Sequence, residues 1–388
     1  MNGSRKAAAC IVGSGFIGPA HIEALRRNGI AITGLVEQDA ASAAEKAGRL
    51  GLPRGYASYE EALADPAVAV VHLAVPNSLH APYARAALLA GKHVLCEKPL
   101  ATTSEESAEL VALAKRTGLV AAVNYNLRFY PLVHEARALV REGKLGKPFL
   151  IHGSYLQDWL LLDTDWSWRL DPSVGGALRA VADIGTHWLD MVSFVTGLKV
   201  EAVFADLATF YTERLKPRGP VDTFAGKTER GETTYDKVKI ETEDAALMLL
   251  RFEGGAKGSL TVSQVSAGRK NSLSFEVDGS AKALAWNSES PNSLWLGERS
   301  EANRTLMKDP ALMHPEAARL SGFPGGHQEG YPDTLKNLIG RLYAYIDAGD
   351  YSAPRDFPSF EDGHEEMLLC DAILKSSREG RWVSLGGR

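Results

Sequence analysis

Along the first 125 or so residues, unbroken apolar runs alternate with stretches of helical composition about 10 to 15 residues long, the pattern of parallel strands joined by crossover helices. Ala7 to Val12, Ile30 to Val36, Val68 to Val75 and His93 to Cys96 are rich in Val, Ile, Leu and Ala without alternation. Such runs predict strands buried on both faces. Val120 to Asn124 predicts a fifth strand. Between them Ile17 to Asn28, Ala40 to Leu50, Ser78 to Ala90 and Ser104 to Thr117 predict helices, with Gly29, Gly51, Gly91 and Gly118 placed to stop them.

After about Tyr125 the pattern changes. Leu273, Phe275 and Val277 alternate with Ser272, Ser274 and Glu276, as in a strand with one face in a core. Asp278-Gly279 then predicts a hairpin turn, and Gly254-Gly255 predicts another between Ala245 to Phe252 and Lys257 to Val265. The expectation is an α/β Rossmann domain over residues 1–125. An α+β domain with a large, mostly antiparallel sheet follows over 126–388, for substrate binding and oligomerisation. A length of 388 residues suits two domains at about 150 residues each. Two polar connections, 214–237 and 303–330, are long for a compact fold and predict loops that cover a site, meet another subunit or lack order.

Composition narrows the function. Hydrophobic residues are 45% and charged residues 23%, which suits a core-forming globular protein and excludes a disordered or low-complexity chain. A net charge of −5, with both signs interspersed, argues against nucleic acid as a partner. Arg5 and Lys6 ahead of Ala7 to Val12 imitate a signal-peptide start, but Gly13, Gly15 and Gly18 interrupt it. Nowhere are there the roughly 18 consecutive apolar residues of a membrane helix, so no membrane association is expected. Cys10, Cys96 and Cys370 form no C-x-x-C pair and suit a reducing compartment, which predicts a cytoplasmic protein.

Gly13-Ser14-Gly15-Phe16-Ile17-Gly18 fits G-x-G-x-x-G between a predicted strand and a predicted helix. The first glycine permits the turn and the second lets backbone N–H groups approach a pyrophosphate. The third permits close helix-strand packing, and the helix N-terminus favours the anion. A glycine turn without a ligand is the plainer alternative. Glu37 ends the second strand, where a carboxylate accepts hydrogen bonds from an adenosine ribose and repels a 2′-phosphate. With Gln38 and Asp39 following and no Arg nearby in sequence, NAD is expected rather than NADP; a merely solvated carboxylate is the alternative.

Glu97-Lys98-Pro99 emerges from the fourth predicted strand, and Val75-Pro76-Asn77-Ser78-Leu79-His80 follows the third. Further on come Asn124-Tyr125-Asn126-Leu127-Arg128-Phe129, Trp168-Arg169 and Asp183-Ile184-Gly185-Thr186-His187-Trp188-Leu189-Asp190, the last fitting D-x-G-x-H-x-x-D. In these ordered motifs the chain resembles the glucose-fructose oxidoreductase / inositol dehydrogenase (Gfo/Idh/MocA) family over nearly its whole length. The resemblance implies an NAD(P)-dependent oxidoreductase acting on CH–OH groups. It further implies that Pro76, Asn77, His80, Glu97, Lys98, Asn124, Arg128, Trp168 and Arg169 contact the cofactor, and that Tyr125 borders the substrate.

The residues carry their own chemistry. Asp183, His187 and Asp190 share one face of a helix. Oxidising a secondary alcohol requires an acceptor for the hydroxyl proton, and a neutral imidazole suits that near pH 7. His187 is therefore the expected general base. Lys98 is expected to stabilise charge on the reacting oxygen, and Asp183 to orient Lys98 and the substrate; the resemblance implies the same trio. Asp183 as a simple N-cap and His187 as a core histidine remain the alternative here. No third His or Cys is spaced to complete a zinc site, so no metal is expected.

Trp159, Trp166 and Trp168 fall within ten residues of one another, with Trp188 on the predicted catalytic helix. Trp rings beside polar groups line carbohydrate pockets, with core packing as the alternative. Gln157, Asp158, Trp166 and Arg169 are the candidate lining, and His327 on a glycine-rich loop is a further candidate for substrate contact. The reading is hydride transfer between NAD and a secondary alcohol of a sugar, glycoside or cyclic polyol. Redox-assisted glycoside cleavage or epimerisation with retained NAD, and a non-catalytic NAD-binding regulator, are the alternatives. A homodimer or homotetramer is expected, to cover the open face of the large sheet.

Overall fold

The computed structural model describes residues 6–219 and 234–386. Five strands form where the apolar runs announce them: β1 (Ala9–Val12), β2 (Ile32–Val36), β3 (Val70–Leu73), β4 (His93–Cys96) and β5 (Ala121–Val123). They make one parallel sheet in the order β2-β1-β3-β4-β5. Burial on both faces explains the absence of alternation: every residue of β1 and β3 is buried. Val12 pairs with Val36 and with Leu73, Leu73 with Cys96, and Cys96 with Val123, so all five strands end on one row.

The helices between them are α1 (Ile17–Arg27), α2 (Ala40–Arg49), α3 (Tyr59–Ala64), α4 (His80–Leu89) and α5 (Ser104–Thr117). Short α3 escapes the sequence pattern; Ser58 opens it by accepting a hydrogen bond from the Glu61 amide. Gly29, Gly51, Gly91 and Gly118 all take the left-handed conformation, with φ of 66°, 62°, 76° and 66°, as helix-stopping glycines do.

The later elements are α6 (Pro131–Arg141), β6 (Pro148–Leu156), α7 (Pro172–Gly175), a π-helical turn (Val181–Gly185) and α8 (Thr186–Thr196). Next come β7 (Val200–Ala208), β8 (Glu213–Pro217), β9 (Tyr235–Lys239), β10 (Ala245–Phe252), β11 (Lys257–Ser263) and β12 (Ser272–Gly279). They are followed by β13 (Lys282–Asn287), β14 (Ser293–Glu298), β15 (Arg304–Met307) and α9 (Pro315–Ala318). The chain ends with α10 (Tyr331–Ala348), α11 (Phe360–Glu379) and β16 (Val383–Ser384).

Nine strands form one sheet in the order β15-β14-β13-β12-β6-β11-β10-β7-β16, antiparallel except for the central β6–β11 pair. Leu273, Phe275 and Val277 of β12 turn inward with Leu260 and Val262 of β11, while Leu247 and Leu249 of β10 stay about half exposed on the other face at 55% and 51%. On the covered face α8 lies so close that Trp188, fully buried, donates from Nε1 to the Ser274 carbonyl at 2.9 Å. Gly153 on β6 makes room for this, since a Cβ there would sit 2.0 Å from the Ser274 oxygen and 2.7 Å from the indole nitrogen. Trp188 is thus a core residue.

Contacts divide the chain into two compact units, Met1–Asn126 with Pro332–Met367, and Leu127–Tyr331 with Leu368–Arg388. Division at residue 125 does not include this return of 332–367 to the first unit, where Phe360 is fully buried in the same core cluster as Leu100 and Tyr125. Three local expectations also change. Asp278 stays in its strand, paired with Ala283, so the turn lies at 279–282. The 214–237 connection begins and ends as a two-stranded ribbon of β8 and β9, its middle part lying outside the described residues. The 303–330 segment contains β15 and α9 and is pinned by the buried Lys308–Glu329 ion pair and by Asn292, which donates to the Glu329 carbonyl at 2.8 Å.

Gly153→Ala is expected to destabilise the protein by about 1–3 kcal/mol through overpacking, read as a lowered Tm. An unchanged Tm would show that the Trp188 contact is looser than described.

Candidate active site

The residues singled out in the first unit stand at the carboxyl ends of its strands, the edge at which open α/β sheets bind ligands. The turn after β1 begins at Gly13, whose φ of +89° suits glycine and whose Cβ would meet the Ala74 carbonyl at 2.5 Å. A Cβ on Gly18 would strike the Gly13 oxygen at 2.3 Å, whereas nothing lies within 4 Å of one on Gly15. The turn is therefore packed tightly inward at its first and third glycines and open at its middle one, next to a helix with no acidic residue in its first turn. That combination fits a pyrophosphate laid on the backbone.

Glu37, one residue past β2, accepts from the Ser14 amide at 2.7 Å and from the Ser14 hydroxyl. Its second oxygen lies 3.1 Å from Lys46 Nζ of α2. A basic neighbour is thus present, though not an Arg and not adjacent in sequence. Asn77 begins a single tight turn leading into α4, and His80 is fixed by the Pro99 carbonyl at 2.6 Å and the Val75 carbonyl at 2.9 Å. His80 thereby ties the Pro76 loop to the Glu97-Lys98-Pro99 segment. Glu97 accepts from His21 Nε2 at 2.9 Å and from the Asn124 amide, while its other oxygen accepts from the Lys98 backbone N–H at 3.3 Å. Burial alone would raise this carboxyl, but the His21 bond, the nearby Lys98 charge and the Asn124 bond together hold it below its usual range.

In the second unit Asp183 lies inside the π-helical turn and His187 in the first turn of α8, both buried. Asp183 is not an N-cap. Its Oδ1 accepts from Arg169 Nε at 3.0 Å and its Oδ2 from Gln264 Nε2 at 2.9 Å. Two more groups fix the turn from beneath: buried Glu243 accepts from the backbone N–H of Arg179 and Val181 at 2.9 and 2.8 Å, and Asp244 holds the buried Arg179 and Arg214 guanidiniums. Asp190 does not join Asp183; it takes the Arg128 guanidinium in a bidentate pair. Near His187, with ring centroids 6.3 Å apart, Tyr155 donates its hydroxyl to Asn271 Oδ1 at 2.7 Å, and Gln157 donates to the same atom at 2.7 Å.

The other candidates separate. Asp158 is bound by Lys270 Nζ at 2.6 Å, and Trp159 donates to the Lys270 carbonyl at 3.0 Å. Trp166 packs on the small cluster of Leu160, Leu170 and Ile240, and the Arg169 guanidinium stacks 4.4 Å above the Trp168 ring. His327 is an exposed loop residue against the Phe323 ring. Gln264, Glu243, Asn271, His21, His72 and Tyr343 were not legible as site residues, because each acts through a tertiary contact. Of these only His21 had a local signal, standing three residues past the glycine motif on the helix it opens.

A glycine turn shaped for a pyrophosphate, a strand-end carboxylate, and a buried Asp and His on consecutive turns define a dinucleotide-dependent oxidoreductase. Residues 8–125 match the model of an oxidoreductase family with an NAD-binding Rossmann fold, and residues 133–285 match the GFO/IDH/MocA C-terminal domain. The chain belongs to the Gfo/Idh/MocA family of oxidoreductases. It is 32% identical, over 97% of its length and 97% of the relative's, to levoglucosan dehydrogenase of Pseudarthrobacter phenanthrenivorans. A solved levoglucosan dehydrogenase in complex with NADH and levoglucosan superposes with a TM-score of 0.87 at 30% identity, covering 99% of this chain and 100% of that one. An inositol dehydrogenase homolog from Azotobacter vinelandii, complexed with NAD+, gives 0.86 at 27% identity over 98% of both chains. Among the described residues no helix is long and apolar enough to cross a membrane.

Two predictions follow from this geometry. Glu37→Ala removes the carboxylate but leaves Lys46, so NADP binding should strengthen relative to NAD, by about 1–3 kcal/mol in the ratio. Glu37→Ala/Lys46→Ala should lose the gain, and a double variant as tolerant of NADP as the single one would clear Lys46 of any part. The second concerns acid. Burial pushes His72 well below, and His80 below, the ordinary histidine value of 6.5, the nearby His21 adding to the effect at His72. The unfolded chain takes up protons there that the folded chain refuses, so stability holds above about pH 6.5 and falls as pH drops toward the folded values. The depressed Glu97 carboxyl adds a further loss lower down, below its usual 4.5. Tm measured between about pH 7 and 4 should show this decline; a flat profile would contradict a neutral buried His72.

Proposed function

We propose that the protein is an NAD-dependent dehydrogenase that oxidises a secondary alcohol of a sugar, an anhydrosugar or glycoside, or a cyclic polyol. The observation that carries the reading is the buried Asp183 and His187 on consecutive turns, with Asp183 held by Arg169 and Gln264. The names of the full-length relatives, levoglucosan dehydrogenase and inositol dehydrogenase homolog, support the substrate class. NAD, when bound on the Gly13–Gly18 turn with its ribose at Glu37, supplies the hydride acceptor. His187 takes the hydroxyl proton as the alcohol is oxidised. Lys98 donates a hydrogen bond to the reacting oxygen and stabilises the negative charge that develops there. Asp183, its two oxygens anchored by Arg169 and Gln264, orients the substrate rather than exchanging protons. Gln157 and Tyr155, joined through Asn271, and the Trp166–Arg169 segment supply polar and aromatic groups for the ring hydroxyls and C–H faces of the substrate.

We place the protein in the cytoplasm, in keeping with three free, buried cysteines. A homodimer or homotetramer would cover the exposed Leu247 and Leu249; a monomer in sedimentation would exclude it.

Hexoses, glycosides, anhydrosugars and inositols assayed with NAD should identify a substrate by net formation of NADH. Transformation of the sugar without net NADH would indicate cleavage or epimerisation with retained cofactor. With that substrate at saturation, Lys98→Met and His187→Ala should each keep NAD affinity and lower single-turnover hydride transfer by about 10² to 10⁴. Their combination should lose much less than the product of the two effects, because both serve one transition state. Near-wild-type rates in both single variants would remove this trio as the catalytic centre.

A further inference from the structure

Four buried groups in the first unit, from four different elements, form a continuous chain behind Lys98. His21 of α1 and His72 of β3 are fully buried, Tyr343 of α10 is 3% exposed, and Glu97 after β4 is 7% exposed. Glu97 Oε1 lies 2.9 Å from His21 Nε2, His21 Nδ1 lies 2.9 Å from His72 Nδ1, and His72 Nε2 lies 2.9 Å from the Tyr343 hydroxyl. None of these links belongs to the glycine turn or to the Asp183 and His187 turns.

We infer that Tyr343, His72 and His21 form a hydrogen-bond relay of one polarity that makes Glu97 the positioning residue of Lys98. The direction follows from donor and acceptor inventories. A carboxylate only accepts, so His21 carries its proton on Nε2. A neutral His21 then presents a bare Nδ1, which must accept from His72 Nδ1–H. This leaves His72 Nε2 bare, and the Tyr343 O–H fills it. With both imidazoles neutral every donor points toward Glu97, and reversing the chain would then require a protonated carboxyl group. Burial holds His72 neutral, as the scheme requires, and Glu97 stays ionised.

The surrounding charges agree with this polarity. Glu97 is faced by Lys98, His80, the buried Cys96 thiol and the Asn124 amide; Tyr343 is faced by Asp347 and by the Cys10 thiol, which burial pushes up to about 12. With Oε1 taken by His21 and Asn124, Oε2 faces the Lys98 backbone N–H at 3.3 Å. The relay thus fixes both the charge and the orientation of the group at the root of the Lys98 side chain. Glu97 touches no reacting atom in this scheme; it acts through Lys98.

The inference rests on the dehydrogenase reading for its effect on turnover but not for its protonation pattern, so the test has two arms. In the NAD-loaded protein, ¹⁵N spectra of labelled histidines should show His21 protonated on Nε2 and His72 on Nδ1, with His72 not titrating between about pH 5 and 8, where exposed histidines do. The opposite tautomers, or titration of the His72 ring, overturns the relay whether or not a sugar is turned over. In the second arm Tyr343→Phe keeps the ring and removes the first donor. The His72 resonances should move and kcat should fall on the order of tenfold, with KM for sugar and NAD unchanged. Glu97→Gln should show the same split between kcat and KM with a larger loss. A folded Tyr343→Phe protein with wild-type kcat, or one in which kcat and KM change together with Tm, assigns the chain a structural role only and overturns the inference. A wild-type protein that oxidises no sugar with NAD fails the functional reading alone, leaving the tautomers to decide the relay.

Discussion

The level termination of five parallel strands is the constraint on which the first unit depends. The residue just past each of three strands remains bonded to its neighbour: Gly13 donates to Val36, Glu97 to Leu73 and Asn124 to Cys96, at 2.9, 2.9 and 2.8 Å. The sheet therefore extends its precision one residue into the loops. A one-residue slip in any strand would turn its side chains to the opposite face and misplace the glycine turn, the Glu97-Lys98 peptide or Asn124. Chemistry on loops is usually limited by loop mobility; here the loops begin as an extension of the ladder.

In the second unit buried charge does the corresponding work. Asp244 is shared by Arg179 and Arg214, with all three side chains fully buried, and Glu243 beside it accepts from two backbone amides. Burial raises the Glu243 carboxyl despite those bonds, whereas the neighbouring guanidiniums more than offset burial at Asp244 and hold it low. Such groups are expensive to bury and contribute modestly to net stability. Their effect is positional, because the first amides of a helical segment, here those of Arg179 and Val181, have no partner within it. Asp183 is carried on that segment.

Much of this was legible in the sequence because it is local. Apolar runs closed to water on both sides give strands without alternation, left-handed glycines stop helices, and the glycine turn needs residues without a Cβ at Gly13 and Gly18. Lys98, Asp183 and His187 were legible as residue types in a recognisable order. What was not legible depends on distance along the chain. Gln264 reaches Asp183 across 81 residues, and the Tyr343 hydroxyl reaches His72 across 271. Asp190, which spacing placed with Asp183, is diverted by Arg128, a partner 62 residues away. The ribbon at 214–237 was hidden because β8 and β9 are mostly polar and so leave no apolar periodicity.

The return of residues 332–367 to the first unit bears on the order in which the protein is made. A ribosome that has synthesised all five parallel strands has not yet produced Phe360, which plugs the core beside Leu100, or Tyr343, which closes on His72. The nascent nucleotide-binding half must wait, with a hydrophobic gap and an unsatisfied buried imidazole, while more than two hundred further residues are translated. The core of that half is therefore completed only once residues 332–367 have been made, after nearly all of the second unit.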